Sequence, residues 1–182
     1  MLCMIINLIK YYYFLPLFFI SITMSANNIN IPPDEVLEMP LPLPYNGEIY
    51  SENDIENFLN SSISKSKQPI IIFGGNWCPD CRILEGTLQL PTINKYMIKH
   101  YKIMHVDVGR YDKNMNLISY FKIPKEEGVP RVLVFDKKKN ILNMESTKEW
   151  TTARDRKQQE IFNYFPVSYT QLRAHETMVD LV

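Results

Sequence analysis

Pro69-Ile70-Ile71-Ile72-Phe73 is an unbroken apolar run closed by Gly74-Gly75, and Cys78-Pro79-Asp80-Cys81 stands just beyond it. A short run without alternation is the pattern of a strand covered on both faces, as in a parallel sheet packed between helices. Pro79 suits the first position of a helix, because its missing N–H is one that a helix start leaves unused and its φ is already helical. Cys81, Leu84 and Leu88 then fall on one side of that helix, before Pro91 stops or kinks it. The chain is committed here to a buried strand that hands over to a helix, with a cysteine at the junction.

The flanking segments fill in the order. Ser51 with Asp54 three residues later forms a capping-box pattern, and Ile55, Phe58 and Leu59 give one apolar helical face, so a first helix is predicted to end near Ser64. Tyr101 to Val108 reads as a second strand through Ile103, Met104, Val106 and Val108, and Leu117, Ile118 and Phe121 predict a helix after Asp112. Gly128-Val129-Pro130 leads into Arg131-Val132-Leu133-Val134-Phe135, a turn at Asp136 to Asn140, and Ile141 to Met144, which together predict a hairpin. Thr152 with Asp155 predicts the cap of a last helix through Phe165, with Ile161, Phe162 and Phe165 at helical spacing. This succession is that of an α/β fold, a central mixed sheet with helices on both faces.

Residues 27–47 carry Pro32, Pro33, Pro40, Pro42 and Pro44 and read as an extended arm. Residues 1–26 hold one charge, Lys10, then the apolar Tyr11 to Ile20 and the small Ser25-Ala26, the pattern of a secretory signal cleaved near Ala26. The apolar stretch after Lys10, about fourteen residues, is short of the roughly twenty a spanning helix needs, and Pro16 interrupts it. An uncleaved anchor that recruits Met1 to Ile9 is the competing reading. Either way the body is expected outside the cytoplasm, periplasmic or secreted, where disulfides persist. At 182 residues, the chain has room for one domain plus appendages, a single core usually organising about 100–200 residues. Twenty basic and twenty acidic residues cancel, which makes nucleic acid a poor partner.

With Cys3 lost in the signal, only Cys78 and Cys81 remain, and a loop so short constrains the unfolded chain too little for them to serve as a staple. At a helix N-terminus the unpaired N–H groups and the dipole favour thiolate over thiol, so Cys78 is the expected nucleophile. Cys81, one turn into the helix, is placed to resolve a mixed disulfide by attacking the Cys78 sulfur. Trp77 either packs beside the pair as an apolar wall or is a plain core or surface aromatic.

Trp77-Cys78-Pro79-Asp80-Cys81 after a strand, with Gly128-Val129-Pro130 entering a hairpin farther on, resembles the thioredoxin superfamily over about residues 48–165. Exported bacterial thioredoxin-like proteins with this pentapeptide and a Val-Asp-Val-Gly segment, here Val106-Asp107-Val108-Gly109, are similar. The resemblance implies a thioredoxin-like three-layer fold and a thiol–disulfide oxidoreductase. It further implies that Pro130 is cis and faces the cysteines, and that the Val129 backbone pairs with an extended substrate segment, which would accept many sequences.

Two departures set expectations. Many members bury an acidic residue in the strand six positions before the first cysteine, where this chain has Ile72; proton removal from Cys81 then needs another group. Pro79-Asp80 is the second: Asp80 suits the helix start, yet its charge opposes a neighbouring thiolate. The expectation is a Cys78 less acidic, and a couple more reducing, than in strongly oxidising members.

CxxC with His100 and His105 is conceivable as a zinc or copper site, but the histidines lack tight motif spacing. His105 reads instead as a strand residue and His100 as a solvated helix end. Lys137-Lys138-Lys139 reads as a solvated turn. The tail from Pro166 to Thr177 resembles a translated sequencing adaptor, so residues 166–182 are expected to be non-native, an ordinary extension being the alternative; no function is assigned to His175. The expectation is therefore a monomeric exported oxidoreductase that needs no metal or organic cofactor, acts on protein thiols and disulfides, and exchanges electrons with a membrane redox partner. A non-catalytic thioredoxin-like binding or metal-transfer module is the rival.

Overall fold

In the computed structural model, residues 29–124 and 128–165 are described; the predicted signal at 1–26 and the tail at 166–182 lie outside them. The first helix, α1 (Glu52–Ser64), begins as the sequence predicts: the Ser51 hydroxyl accepts from the Asp54 N–H, and the Asp54 carboxylate accepts from the Ser51 N–H at 2.8 Å. That reciprocal pair satisfies two donors a helix start otherwise leaves orphaned. The strand β1 (Gln68–Gly74) follows and is buried at every position. Then come α2 (Pro79–Leu88), α3 (Pro91–His100), β2 (Tyr101–Asp107), α4 (Met115–Tyr120) and β3 (Arg131–Val134). Residues 158–165 are helical and are called α5.

The sheet runs β2-β1-β3, with β1 parallel to β2 and antiparallel to β3. Because β1 is central and alternates its side chains, it serves two cores. Ile71 and Phe73 join Ile55 and Leu59 of α1 and Leu117 and Ile118 of α4 on one face. Ile70 and Ile72 join Leu84 and Leu88 of α2, Ile93 and Met97 of α3, and Ile161, Phe162 and Phe165 of α5 on the other. The three-layer arrangement expected from the sequence is the one observed.

Three local expectations are corrected. Pro91 does more than stop α2: it occupies the first turn of a separate helix, α3, whose N-terminus receives the Glu35 carboxylate on the Thr92 N–H at 3.0 Å. His100 ends that helix and stacks on Tyr96 at 4.5 Å between ring centroids. The predicted hairpin keeps only a single bridge, Phe135 with Ile141. Beyond it the Asn143 side chain replaces the second strand, accepting from the Val134 N–H at 2.9 Å and donating to the Val132 carbonyl at 2.7 Å. Finally, Thr152 and Asp155 cap no helix; they lie within a 3-10 segment, Glu149–Asp155, drawn against α2 by Asp80.

The proline-rich arm contains no strand within its described residues and is docked along the domain. The Ile31 N–H donates to Gln159, and the Arg82 guanidinium donates to the Leu41 and Pro42 carbonyls at 2.7 and 3.3 Å. Tyr45 is 4% exposed and belongs to the core under the cysteines.

Candidate active site

Cys78 is the N-cap of α2, with extended φ/ψ of −87° and 117°, and Pro79 occupies the first turn. Its sulfur accepts from the Cys81 N–H at 3.3 Å and lies 3.4 Å from the Val129 carbonyl, to which the thiol donates. The Val129–Pro130 peptide bond is cis. Both cysteines are free thiols. The hydrogen bond from the Cys81 thiol lowers the Cys78 thiol to about 7, helped by backbone N–H groups and opposed by burial and by the Asp80 charge. Cys81 moves the other way: burial, then the neighbouring Cys78, push its thiol well above the ordinary range. One sulfur of the pair is thus ionised near neutrality, while its mate keeps its proton until something removes it.

Asp80 sits within the first turn of α2 and is 2% exposed. Its carboxylate accepts from the Arg154 backbone N–H at 2.9 Å and from the guanidinium through Nε, at 3.0 and 3.1 Å, and through Nη2. A carboxylate beside a thiolate is tolerated because an arginine holds it from the far side. Composition and spacing gave no sign of this partner, 74 residues away along the chain.

Trp77 is 37% exposed and so is not a core aromatic. Its indole N–H donates to the Gly109 carbonyl, the Arg110 guanidinium lies 4.7 Å above its ring, and Tyr111 meets it edge-on at 5.9 Å. The Val106-Asp107-Val108-Gly109 segment builds that support. The Val108 N–H donates to the Gly74 carbonyl at 2.8 Å, Gly109 takes φ +57°, and its N–H is held by Asp107 at 2.7 Å. Trp77, Cys78, Pro79, Asp80, Cys81, Val129 and Pro130 are therefore gathered at one end of the sheet, with Pro130 leading directly into β3.

Three residues that the sequence reading passed over complete the site. The Asn76 side chain brackets Tyr45, accepting from its N–H at 3.1 Å and donating to its carbonyl at 2.7 Å. The phenol thereby reaches the point beside Gly74 where a Cβ would lie 2.2 Å from its hydroxyl and 2.8 Å from the Cys81 sulfur. Glu85, one turn after Cys81 on α2, pairs with His105 of β2 at 2.7 Å, and the His105 ring meets the Tyr45 ring edge-on at 5.5 Å. The spacing of Glu85 from Cys81 carried a signal, since a helix places residues four apart on one face. His105 is thus committed to Glu85, and among the described residues no group of three or more metal-capable side chains occurs. Gly74→Ala is expected to push Tyr45 off the sulfur and to cost about 1–3 kcal/mol; urea denaturation that leaves stability unchanged would contradict this packing.

A family model described as thioredoxin-like matches residues 52–137. Among solved structures, a disulphide isomerase from Xylella fastidiosa Temecula1 shares 28% identity over 69% of this chain and 95% of its own, with a TM-score of 0.62. A protein of unknown function from Pseudomonas aeruginosa shares 14% identity over 63% of this chain and 80% of its own, with a TM-score of 0.39. No curated protein matches the chain.

Proposed function

Because the chain belongs to the thioredoxin superfamily, we propose that it is a thiol–disulfide oxidoreductase acting on protein substrates through Cys78 and Cys81. The Cys78 thiolate attacks a substrate disulfide, forming a mixed disulfide and releasing one substrate sulfur as a thiolate. Cys81 then gives up its proton and attacks the Cys78 sulfur; the Cys78–Cys81 bond forms and the second substrate thiolate leaves. Run backward, the same steps oxidise a dithiol. Val129, Pro130 and Trp77 border the attacked sulfur and offer a backbone edge and an aromatic rim to an extended segment. The observation that carries this reading is the Cys78 sulfur at the N-cap of α2, accepting the Cys81 N–H, with its thiol lowered to about 7.

The reading extends to place and poise. The N-terminal pattern of Lys10, apolar run and small residues supports export to the periplasm or beyond, cleaved or as an anchor. Work outside the cytoplasm calls for a membrane redox partner, and the protein acts as a monomer. The Asp80 charge disfavours the thiolate, and with it the reduced form, which supports a couple poised to reduce rather than to oxidise strongly. Asp80→Asn is expected to raise the potential by about 30 mV, a tenfold change in the exchange constant. Arg154→Ala, which strips the carboxylate of its cation, is expected to lower it. Equilibration against glutathione reads both, and a fall for Asp80→Asn would contradict the assignment.

Trapping tests the function itself. Cys81→Ser is expected to accumulate a mixed disulfide with an oxidised protein substrate, resolved on adding dithiothreitol, while Cys78→Ser accumulates none. Absence of any adduct with Cys81→Ser would refute disulfide exchange.

A further inference from the structure

Resolution by Cys81 faces an obstacle that the site must overcome. Cys81 is 1% exposed, burial holds its proton on, and the neighbouring strand β1 carries no acidic residue. Removing a proton from such a thiol needs a donor to steady the developing anion and a base to receive the proton.

The Tyr45 hydroxyl and the Cys81 sulfur converge on the space beside Gly74, which only a glycine leaves open. Tyr45 is fixed there by both arms of the Asn76 amide. Burial, and then the charges of Cys81, Glu85 and Cys78, raise the phenol well above its ordinary value, so it stays a proton donor throughout the working range. Glu85 is 9% exposed and lies on the same face of α2 as Cys81, one turn deeper. Burial opposes its charge, but the His105 ring at 2.7 Å outweighs that, and its carboxyl is held below the usual range. A largely buried carboxylate–imidazole pair at the edge of the core, next to a phenol that faces a buried sulfur, exceeds what packing alone requires.

We propose that Tyr45, Glu85 and His105 are the positioning and proton-handling group for Cys81, with the phenol holding the sulfur as it becomes anionic and the Glu85–His105 pair taking up its proton. As Cys81 attacks the mixed disulfide, its S–H bond breaks, the Cys78–Cys81 bond forms, and the substrate sulfur leaves with the electron pair. The released proton moves to the carboxylate–imidazole pair and from there to solvent at the half-buried edge of His105. No external oxidant or reductant enters beyond the substrate disulfide. The ionisable groups that act on Cys81 are Cys78 of its own helix, Tyr45 of the arm and Tyr111 of the loop after β2; Glu85 acts on Tyr45, with His105 of β2 paired behind it. Asp80 and Arg154 act on Cys78 instead.

The inference rests on the disulfide-exchange reading above, and one experiment separates the two. The reduced protein is mixed with the aromatic disulfide dithionitrobenzoate, which releases one coloured thiolate when Cys78 attacks and a second when Cys81 resolves the adduct. In Tyr45→Phe and Glu85→Gln the first release, which needs only Cys78, serves as the internal reference against which the second is read. The second is expected to be slowed about tenfold or more at neutral pH. Its rate in the variants should keep climbing with pH where the native protein levels off, because only bulk hydroxide remains to take the proton. A second release at the native rate with the native pH profile in both variants would overturn the proton-handling role while leaving disulfide exchange intact. A native protein that releases only the first equivalent would instead sink the exchange reading, and this inference with it.

Discussion

Cys78→Ser is expected to reduce catalysed reduction of insulin by dithiothreitol to the uncatalysed rate, the largest effect of any single change in the chain. A serine hydroxyl at the same N-cap still accepts the Cys81 N–H, so the start of α2 should survive. What disappears is the nucleophile. The thiol lowered to about 7 is present as thiolate in a large fraction near neutral pH, and thiolate is the attacking species in every exchange. An alcohol in the same place stays protonated. Cys81 does not substitute, because burial and its neighbour hold its proton. Activity of Cys78→Ser equal to native would contradict both the identity of the nucleophile and the division of labour between the two sulfurs.

Arg131→Ala is expected to destabilise the protein by about 2–5 kcal/mol, the scale of truncating a large buried side chain whose hydrogen-bond partners are left unmet. Arg131 opens β3 directly after Pro130 and is 1% exposed. Its guanidinium donates to the Gly128 carbonyl at 2.9 Å, the Thr147 hydroxyl at 3.0 Å and the Pro124 carbonyl at 2.7 Å. Truncation leaves the buried Thr147 hydroxyl and the Gly128 and Pro124 carbonyls short of a donor and opens a cavity where the largest fully buried side chain had been. The loss also frees the segment that presents Val129 to Cys78, so substrate turnover is expected to fall in the variant even below its unfolding transition. Urea denaturation measures the first effect; a cost under about 1 kcal/mol, the level of ordinary surface changes, would contradict it.

The sequence is readable wherever the deciding interaction is local. The Ser51 and Asp54 cap, the doubly covered β1 and the cysteine at the start of α2 all depend on residues within a few positions of one another, and each is found where the pattern puts it. What the sequence hides is long-range. Asn143 stands in for a strand because one amide reaches two groups of β3, which no periodicity encodes. Asp80 draws the 149–155 segment onto α2 through Arg154 and so displaces the helix start predicted at Thr152. Tyr45 belongs to a proline-rich arm whose composition signals extension, and its approach to Cys81 depends on Asn76 and on a glycine with nothing to keep it away. The site is thus half legible: the two sulfurs and the Asp80 charge beside them are written in one motif, while Tyr45, Val129 and Arg154 reach it from distant parts of the chain.

Alkylation of the reduced, folded protein by iodoacetamide across a pH series, with the modified cysteine identified by mass, tests the account most directly. Cys78 should be the residue labelled, with a rate that rises with pH around a midpoint near 7, while Cys81 stays unlabelled until the protein unfolds. A midpoint at the value of a free thiol, about 8.5, or labelling of Cys81 ahead of Cys78, would contradict it.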